Sequence, residues 1–354
     1  MELNKIYCGD CLEVMKTFPD NSIDCFVSSP PYFQLRSYLP TDHPDKHKEV
    51  GLQGSPEEYV ESLTEIFEEV RRVLKPSGVC YLNLGDGFCS NGIYIGDYKR
   101  NHPEHQDLHT DHSERYPQKQ KGFRGGKYNL KKKDQMLIPH RVAISLCDAG
   151  WYVRSDIVYQ KFNCMPSSVT DRPVSSKEYV FMLTKSPNYY WDWKAIGTEP
   201  AASTQADKRE KGVLRQRQNE NSKYHEDCDE KIASQFKKQD NVGRSDYTGF
   251  NDRYLPVDRV RPRDVWSMTV PGSKIKHFAL MNPKLIEKCI LSGCPENGTV
   301  LDCFFGAGTV GLVAKSLNRN YIGIELNPEY VKIAENYLND YKYDPENKKV
   351  IKCS

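Results

Sequence analysis

Thr299-Val-Leu-Asp-Cys-Phe-Phe-Gly-Ala-Gly-Thr309 is the stretch on which the reading of the fold depends. A short apolar run ends in an acid, two aromatics follow, then Gly306-Ala307-Gly308, and the spacing from Val310 to Ser316 predicts a helix. Strand, glycine loop and helix form a nucleotide-type binding turn. The glycines let the backbone approach a ligand closely, and the helix start offers free amides to an anionic group. Tyr321-Ile-Gly-Ile-Glu325 predicts a second strand whose terminal carboxylate suits a bidentate grip on ribose hydroxyls. The loop has neither GxGxxG spacing nor a following Lys-Ser/Thr, which argues against a dinucleotide fold and a phosphate-cradling loop. S-adenosylmethionine is the better match.

A second stretch, Ser28-Ser29-Pro30-Pro31-Tyr32, closes the apolar run from Ile23 to Val27, which predicts a buried strand. Each proline fixes its own φ and lacks an amide donor, so the turn is a stiff row of acceptors. Beside them Tyr32 offers a ring face, which suits a flat substrate bearing an amino group. Taken alone, a proline-rich turn leaving a strand explains these residues equally well.

Together the two stretches resemble the amino-methylating DNA methyltransferases of the permuted β group. That family carries S-P-P-Y or D-P-P-Y near its N-terminus, here Ser29-Pro30-Pro31-Tyr32. Near its C-terminus it carries D-P-F-x-G-S-G-T, here Asp302-Cys303-Phe304-Phe305-Gly306-Ala307-Gly308-Thr309. Met165 to Pro173, Glu178 to Ser186, Tyr189-Tyr190, His277-Phe278-Ala279 and Asn282-Pro283 extend the resemblance. Cys303 and Ala307 depart from the pattern; both are small, and Ala307 lacks a hydroxyl that could touch the cofactor.

The resemblance implies a Rossmann-like α/β methyltransferase fold with circularly permuted motif order, a mostly parallel seven-stranded sheet with one antiparallel strand, and a small target-recognition region. It implies a catalytic turn at Ser29, Pro30, Pro31 and Tyr32. It also implies a cofactor set of Asp10, Phe278, Asp302, Phe304, Gly306, Gly308, Thr309 and Glu325, with Asp10 beside the adenine. The expected organisation is a catalytic half over 1–199, a target-recognition region over 200–260 and a cofactor-binding half over 261–354.

The 354 residues suit one large α/β domain with a smaller appendage. A formal net charge of +2 leaves attraction to nucleic acid to local basic patches. No apolar run approaches a membrane span and the N-terminus lacks a signal-peptide layout, so a cytoplasmic protein is expected. The twelve cysteines are scattered through predicted strands and helices and are read as reduced thiols. Cys8-x-x-Cys11 has no second CxxC to complete a zinc site. A histidine group at His102, His105, His109 and His112 is broken by Pro103, and no metal is expected.

Lys5 to Cys8 and Val79 to Leu84 predict further strands, and Glu57 to Leu74 predicts an amphipathic helix. Trp151 to Lys161 and Glu178 to Thr184 predict an antiparallel pair at one sheet edge. Pattern dissolves between Gly87 and about Lys133; this basic loop, 87–135, suggests a flap over DNA that includes Arg124 and Lys127. Between the paired strands, Lys161, Ser168, Asp171 and Arg172 are candidate DNA contacts, with bracing of the turn an equal alternative. Residues 200–260 are polar and fit either base readout or a solvated linker.

A buried methyl donor cannot reach an amino group inside a duplex, so the expected mechanism flips the base, with Tyr32 replacing lost stacking. Ser29 and the Pro30 carbonyl then hold the amino hydrogens for in-line methyl transfer. If Tyr32 acts by its ring face alone, its hydroxyl is dispensable. No Pro-Cys pair exists for attack at cytosine carbon 5. The S-P-P-Y variant resembles enzymes of the cytosine 4-amino group more often than adenine-N6 enzymes. The remaining alternatives are adenine-N6 methylation, a catalytically inactive DNA-binding module, and methylation of a glutamine amide or RNA. Double-stranded DNA is the expected partner, either in a restriction-modification role beside a cognate restriction endonuclease or in an orphan modification role; the sequence leaves the oligomeric state open.

Overall fold

The computed structural model describes residues 1–89, 128, 130–200, 259–271 and 280–353. Two compact units emerge, one from Met1–Asp192 with Arg263–Ser354, the other Trp193–Pro262. In the smaller unit the described residues include a one-turn helix at Trp193–Ile196 and a bridge between Thr198 and Val260.

The larger unit is built on an eight-stranded sheet. Its strands are β1 (Lys5–Cys8), β2 (Ile23–Ser28), β3 (Leu74–Leu84), β4 (Tyr152–Lys161), β5 (Lys177–Thr184), β6 (Val265–Met268), β7 (Thr299–Asp302) and β8 (Asn320–Glu325), in the order β1-β8-β7-β2-β3-β5-β4-β6. Only β5 runs against its neighbours. The sheet exceeds the seven expected strands by β6, which pairs parallel to β4 from Val158↔Val265 to Lys161↔Met268. The β4–β5 pair is therefore covered at the sheet edge. In β6 the apolar Val265 is exposed beside the buried Trp266, so the residue types of its four positions do not alternate as a strand's would.

Helices cover both faces because strand side chains alternate. On β2, Phe26 meets Phe67 of α2 (Pro56–Val73) edge-on at 5.3 Å, while the next residue back, Cys25, faces α5 (Pro283–Gly293). There a Cβ added to Gly293 would lie 3.3 Å from the Cys25 sulfur. With α2 pack α1 (Cys11–Met15) and α3 (Ile138–Asp148). With α5 packs α6 (Thr309–Ser316), followed by α7 (Pro328–Asp340); α4 is the Trp193–Ile196 turn. A hairpin of β9 (Tyr341–Asp344) and β10 (Lys349–Lys352), which the sequence did not suggest, ends the described chain.

The amphipathic reading of α2 has a clear physical origin. Ser55 accepts the Glu58 amide at 3.2 Å, Pro56 opens the first turn, and Arg71 and Arg72 close the last. Tyr59, Leu63, Ile66, Phe67 and Val70 form its buried stripe. Each such side chain contributes roughly 1.5–3 kcal/mol of apolar burial. The same stripe anchors the site, since Tyr59 Oη donates to the Pro31 carbonyl at 2.8 Å.

No helix among the described residues is long and apolar enough to cross a membrane.

Candidate active site

The parallel strands β2, β3, β7 and β8 deliver their C-terminal ends to one edge, and the reversed β5 delivers its beginning there. A cavity of about 850 Å³ opens along this edge. At one end lies the glycine loop after β7 with the acid ending β8; at the other lies the proline turn after β2 with the ends of β3, β4 and β5.

At the glycine-loop end, backbone amides and one buried hydroxyl hold the acids. Glu325 accepts the Gly306 amide on Oε2 at 2.8 Å and the Asn327 amide on Oε1 at 2.9 Å. Asp302 accepts the Ser28 hydroxyl at 2.5 Å and the Phe304 amide at 3.0 Å, both on Oδ1. Ser28 is fully buried and Asp302 is 4% exposed, so this bond clamps β7 to β2. Burial pushes the Asp302 carboxyl up to about 7, although the Ser28 and Phe304 hydrogen bonds pull the other way. Burial likewise raises Glu325, opposed by the Asn327 and Gly306 amides. Gly306 and Gly308 sit at φ 52° and 85°, in the left-handed region that glycine enters without cost.

At the proline-turn end, side chains hold side chains. Tyr32 Oη donates to Glu178 Oε2 at 2.9 Å, and Ser29 Oγ approaches Tyr32 Oη at 3.4 Å. The Asn83 amide nitrogen lies 3.0 Å from Glu178 Oε2, 3.1 Å from Tyr32 Oη and 3.3 Å from Ser29 Oγ. Lys161 pairs its ammonium with Glu178 Oε1. The Tyr32 ring lies so close to Gly85 that a Cβ there would come within 2.5 Å of it. Burial, then the charge of Glu178, raises the Tyr32 phenol well above its usual range. Ser29 and Pro30 both line the cavity, whereas the Pro31 carbonyl is taken by Tyr59.

A sequence model of the DNA methylase family matches residues 23–336. The chain belongs to that family. The match includes both ends of the cavity. The methylase is 36% identical over 341 residues to the Type II methyltransferase M.Cfr9I of Citrobacter freundii, covering 96% of this chain and 89% of that one. To M.SmaI of Serratia marcescens it is 32% identical over 332 residues, covering 94% and 89%. Its fold is shared with the PvuII DNA methyltransferase (cytosine-N4-specific), at TM-score 0.56 and 18% identity over 95% of this chain and 86% of that one. It is shared too with the Thermus thermophilus protein TTHA0409 complexed with S-adenosyl-L-methionine, at TM-score 0.50 and 17% identity over 95% and 93%.

Of the residues singled out in the methylase sequence, Asp10, Phe304, Gly306, Thr309, Glu325 and Asp302 all line the cavity with Ser29, Pro30, Pro31 and Tyr32. Asp10 also caps α1 by accepting the Glu13 amide. Gly308 is not among the lining residues; a Cβ there would meet Ala334 of α7 at 3.1 Å and Phe305 at 3.2 Å. Lys161, a candidate DNA contact on the connection between the paired strands, lines the cavity beside Glu178, because β4 ends at the ligand edge. Asp171 pairs with Lys133 at 2.6 Å on the surface, and the Arg172 guanidinium lies 3.6 Å from the centre of the Phe88 ring. Ser168 is exposed on the same connection. Phe278, Arg124, Lys127 and the His102 to His112 group lie outside the described residues, as does nearly all of 200–260.

Glu178 and Asn83 are the functional candidates that sequence reasoning missed. Glu178 had a signal: an antiparallel strand flanked by parallel ones brings its first residues, not its last, to the ligand edge.

Proposed function

We propose that this methylase transfers a methyl group from S-adenosyl-L-methionine to the exocyclic 4-amino group of cytosine at a specific site in duplex DNA, as the modification partner of a restriction endonuclease. The observation that carries the reading is one cavity with a cofactor-type glycine loop at one end and Ser29 and Pro30 at the other.

The residues present suit the cofactor. Two buried carboxylates, Asp302 and Glu325, favour a ligand of net positive charge, and Phe304 offers a ring wall beside the glycine loop. When bound, the sulfonium supplies an electrophilic methyl group. The chain's own part is to position the amino nitrogen. Ser29 Oγ and the Pro30 carbonyl accept hydrogen bonds from the two amino hydrogens and aim the nitrogen lone pair along the line of displacement, and one of those protons is given up to solvent once the nitrogen is methylated. Tyr32, backed by Gly85, supports the extruded base. Asp10, Glu325 and Thr309 line the cofactor's share of the cavity, and Lys161 stays beside the acceptor group. Ser168, Asp171 and Arg172 belong to a connection along which a phosphate backbone would pass.

Serine in place of aspartate at position 29 supports cytosine over adenine, and the Type II methyltransferase relatives support a restriction-modification role. Incubating the protein with labelled cofactor and unmodified DNA, then digesting to nucleosides, tests this directly. Labelled 4-methylcytosine is expected. Labelled 6-methyladenine would transfer the mechanism to adenine, and unlabelled DNA would overturn it.

A further inference from the structure

We infer that Glu178 is a positioning residue which, acting through Tyr32, fixes the direction of the hydroxyl chain and turns Ser29 into an acceptor toward the substrate amino group. The inference rests on the reading of Ser29 as the group that receives the amino hydrogen.

Its starting point is a difference between the two residues that a D-P-P-Y or S-P-P-Y turn can present. An aspartate at position 29 would be acceptor-only. A serine carries one proton and can equally well donate, in which case it would meet the substrate amino group donor to donor. Something in the site must turn that proton away. The polar cluster does so by a sequence of forced choices. Glu178, with Lys161 on its Oε1, presents a carboxylate that only accepts. Tyr32 has a single proton and spends it on Glu178 Oε2 at 2.9 Å. The phenolic oxygen is then left as an acceptor, and the Ser29 hydroxyl lies 3.4 Å from it. Ser29 donates inward; Asn83 approaches one of its lone pairs at 3.3 Å, and the other remains for the cavity.

Asn83 reinforces the same direction. Its amide nitrogen faces Glu178, Tyr32 and Ser29 together, at 3.0, 3.1 and 3.3 Å, and its two N–H groups, one of them shared, favour acceptor roles for the oxygens around them. The opposite amide orientation would set a carbonyl oxygen against the Glu178 carboxylate. The fold makes the arrangement possible because Glu178 stands near the start of the single reversed strand, opposite Tyr159 of β4 and two positions before Val180, which pairs with Asn83. The Ser29–Tyr32 contact, at 3.4 Å, is the longest in the cluster.

The role also gives the Tyr32 hydroxyl a purpose. Stacking needs only the ring, and a stacking role alone lets Tyr32→Phe keep its activity. The orientation role does not: phenylalanine leaves Glu178 and Lys161 paired but cuts the link to Ser29.

The test is a double-mutant cycle on Tyr32→Phe and Glu178→Gln, read by single-turnover methyl transfer at saturating cofactor and DNA. Cofactor affinity and thermal melting are measured alongside. Glutamine can donate to Tyr32 and reverse the chain, so each single variant is expected to slow transfer on the order of 10- to 100-fold, with cofactor affinity unchanged. The double variant is expected to be no slower than the slower single, because the chain is already broken. Two losses that multiply would overturn the inference, as would a wild-type rate in Tyr32→Phe, which leaves the ion pair intact and decides the matter even if Glu178→Gln fails to fold. Ser29→Ala separates the two levels of the argument. A wild-type rate there removes the acceptor reading itself, whereas a slow Ser29→Ala beside fast Tyr32→Phe and Glu178→Gln removes only the role of Glu178.

Discussion

The glycine-loop end and the proline-turn end of the cavity are both polar and both sit on strand ends, yet one is held mainly by peptide amides, joined by the Ser28 hydroxyl, and the other by side chains. Glu325 and Asp302 receive the amides of Gly306, Asn327 and Phe304 at 2.8 to 3.0 Å. Ser29, Tyr32, Asn83, Glu178 and Lys161 hold one another, some at 3.3 to 3.4 Å. A carboxylate gripped by its own loop is part of the fold as much as of the site, so changing it disturbs both. A network of side chains can lose a member while the backbone stays put.

Four experiments sharpen or break that contrast. The largest effect is expected at the proline turn: Ser29→Ala should slow methyl transfer on the order of 10²- to 10³-fold while melting temperature and cofactor affinity hold. A matching fall in melting temperature would erase the distinction between the two ends. Asp302→Ala should do the reverse, lowering stability by about 1–3 kcal/mol because it strands the buried Ser28 hydroxyl and the Phe304 amide, and weakening cofactor binding as well. Denaturant titration and calorimetry on the same preparation would reveal whether fold and affinity fall together.

The third experiment uses pH. Asp302 holds its proton up to about pH 7 in the folded chain, above the carboxylate range of an unfolded one. Between roughly pH 4 and 7 the folded state therefore binds the extra proton, and this group's contribution to stability declines as pH rises, levelling off above 7. A cationic cofactor prefers the ionised form. Its affinity should weaken as pH falls below about 7, by at most about tenfold per unit, with protons released on binding. Calorimetry in buffers of different ionisation enthalpy reads that release, and Asp302→Asn should abolish it. The smallest effect belongs outside both ends: Lys133→Ala breaks a largely exposed pair with Asp171 and should cost less than about 1 kcal/mol in a melt.

The glycine-loop end is the more legible of the two in the sequence, because its information is local. A strand, an acid, two left-handed glycines and a helix follow within residues 299–316, and each has its own signature. Even so, the motif does not reveal that the side of Gly308 where a Cβ would stand faces Ala334 and Phe305. The proline turn is legible as a motif but its support is not. Glu178, Asn83 and Lys161 come from three strands that meet only once β5 has reversed, and no local pattern records that meeting. β6 escapes because its buried positions, Trp266 and Met268, alternate with an exposed Val265 and Ser267, so Val-Trp-Ser-Met shows no apolar alternation in residue type. The expectation that the Tyr32 hydroxyl is dispensable rests on the ring alone and takes no account of Glu178, which receives its proton.

The Ser28–Asp302 clamp joins residues 274 positions apart, and it stands for a wider property of the sheet. β1 pairs only with β8, and β2 needs β7 on one side. On the ribosome, both early strands emerge long before their partners exist, so loop-closure entropy delays their pairing until the segment from Thr299 onward has appeared. Until then β1 has no neighbour and β2 presents an open edge of unpaired amides and carbonyls. Prematurely released chains thus contain the whole Ser29–Tyr32 turn yet no clamp to hold it, and present that sticky edge to chaperones or to one another.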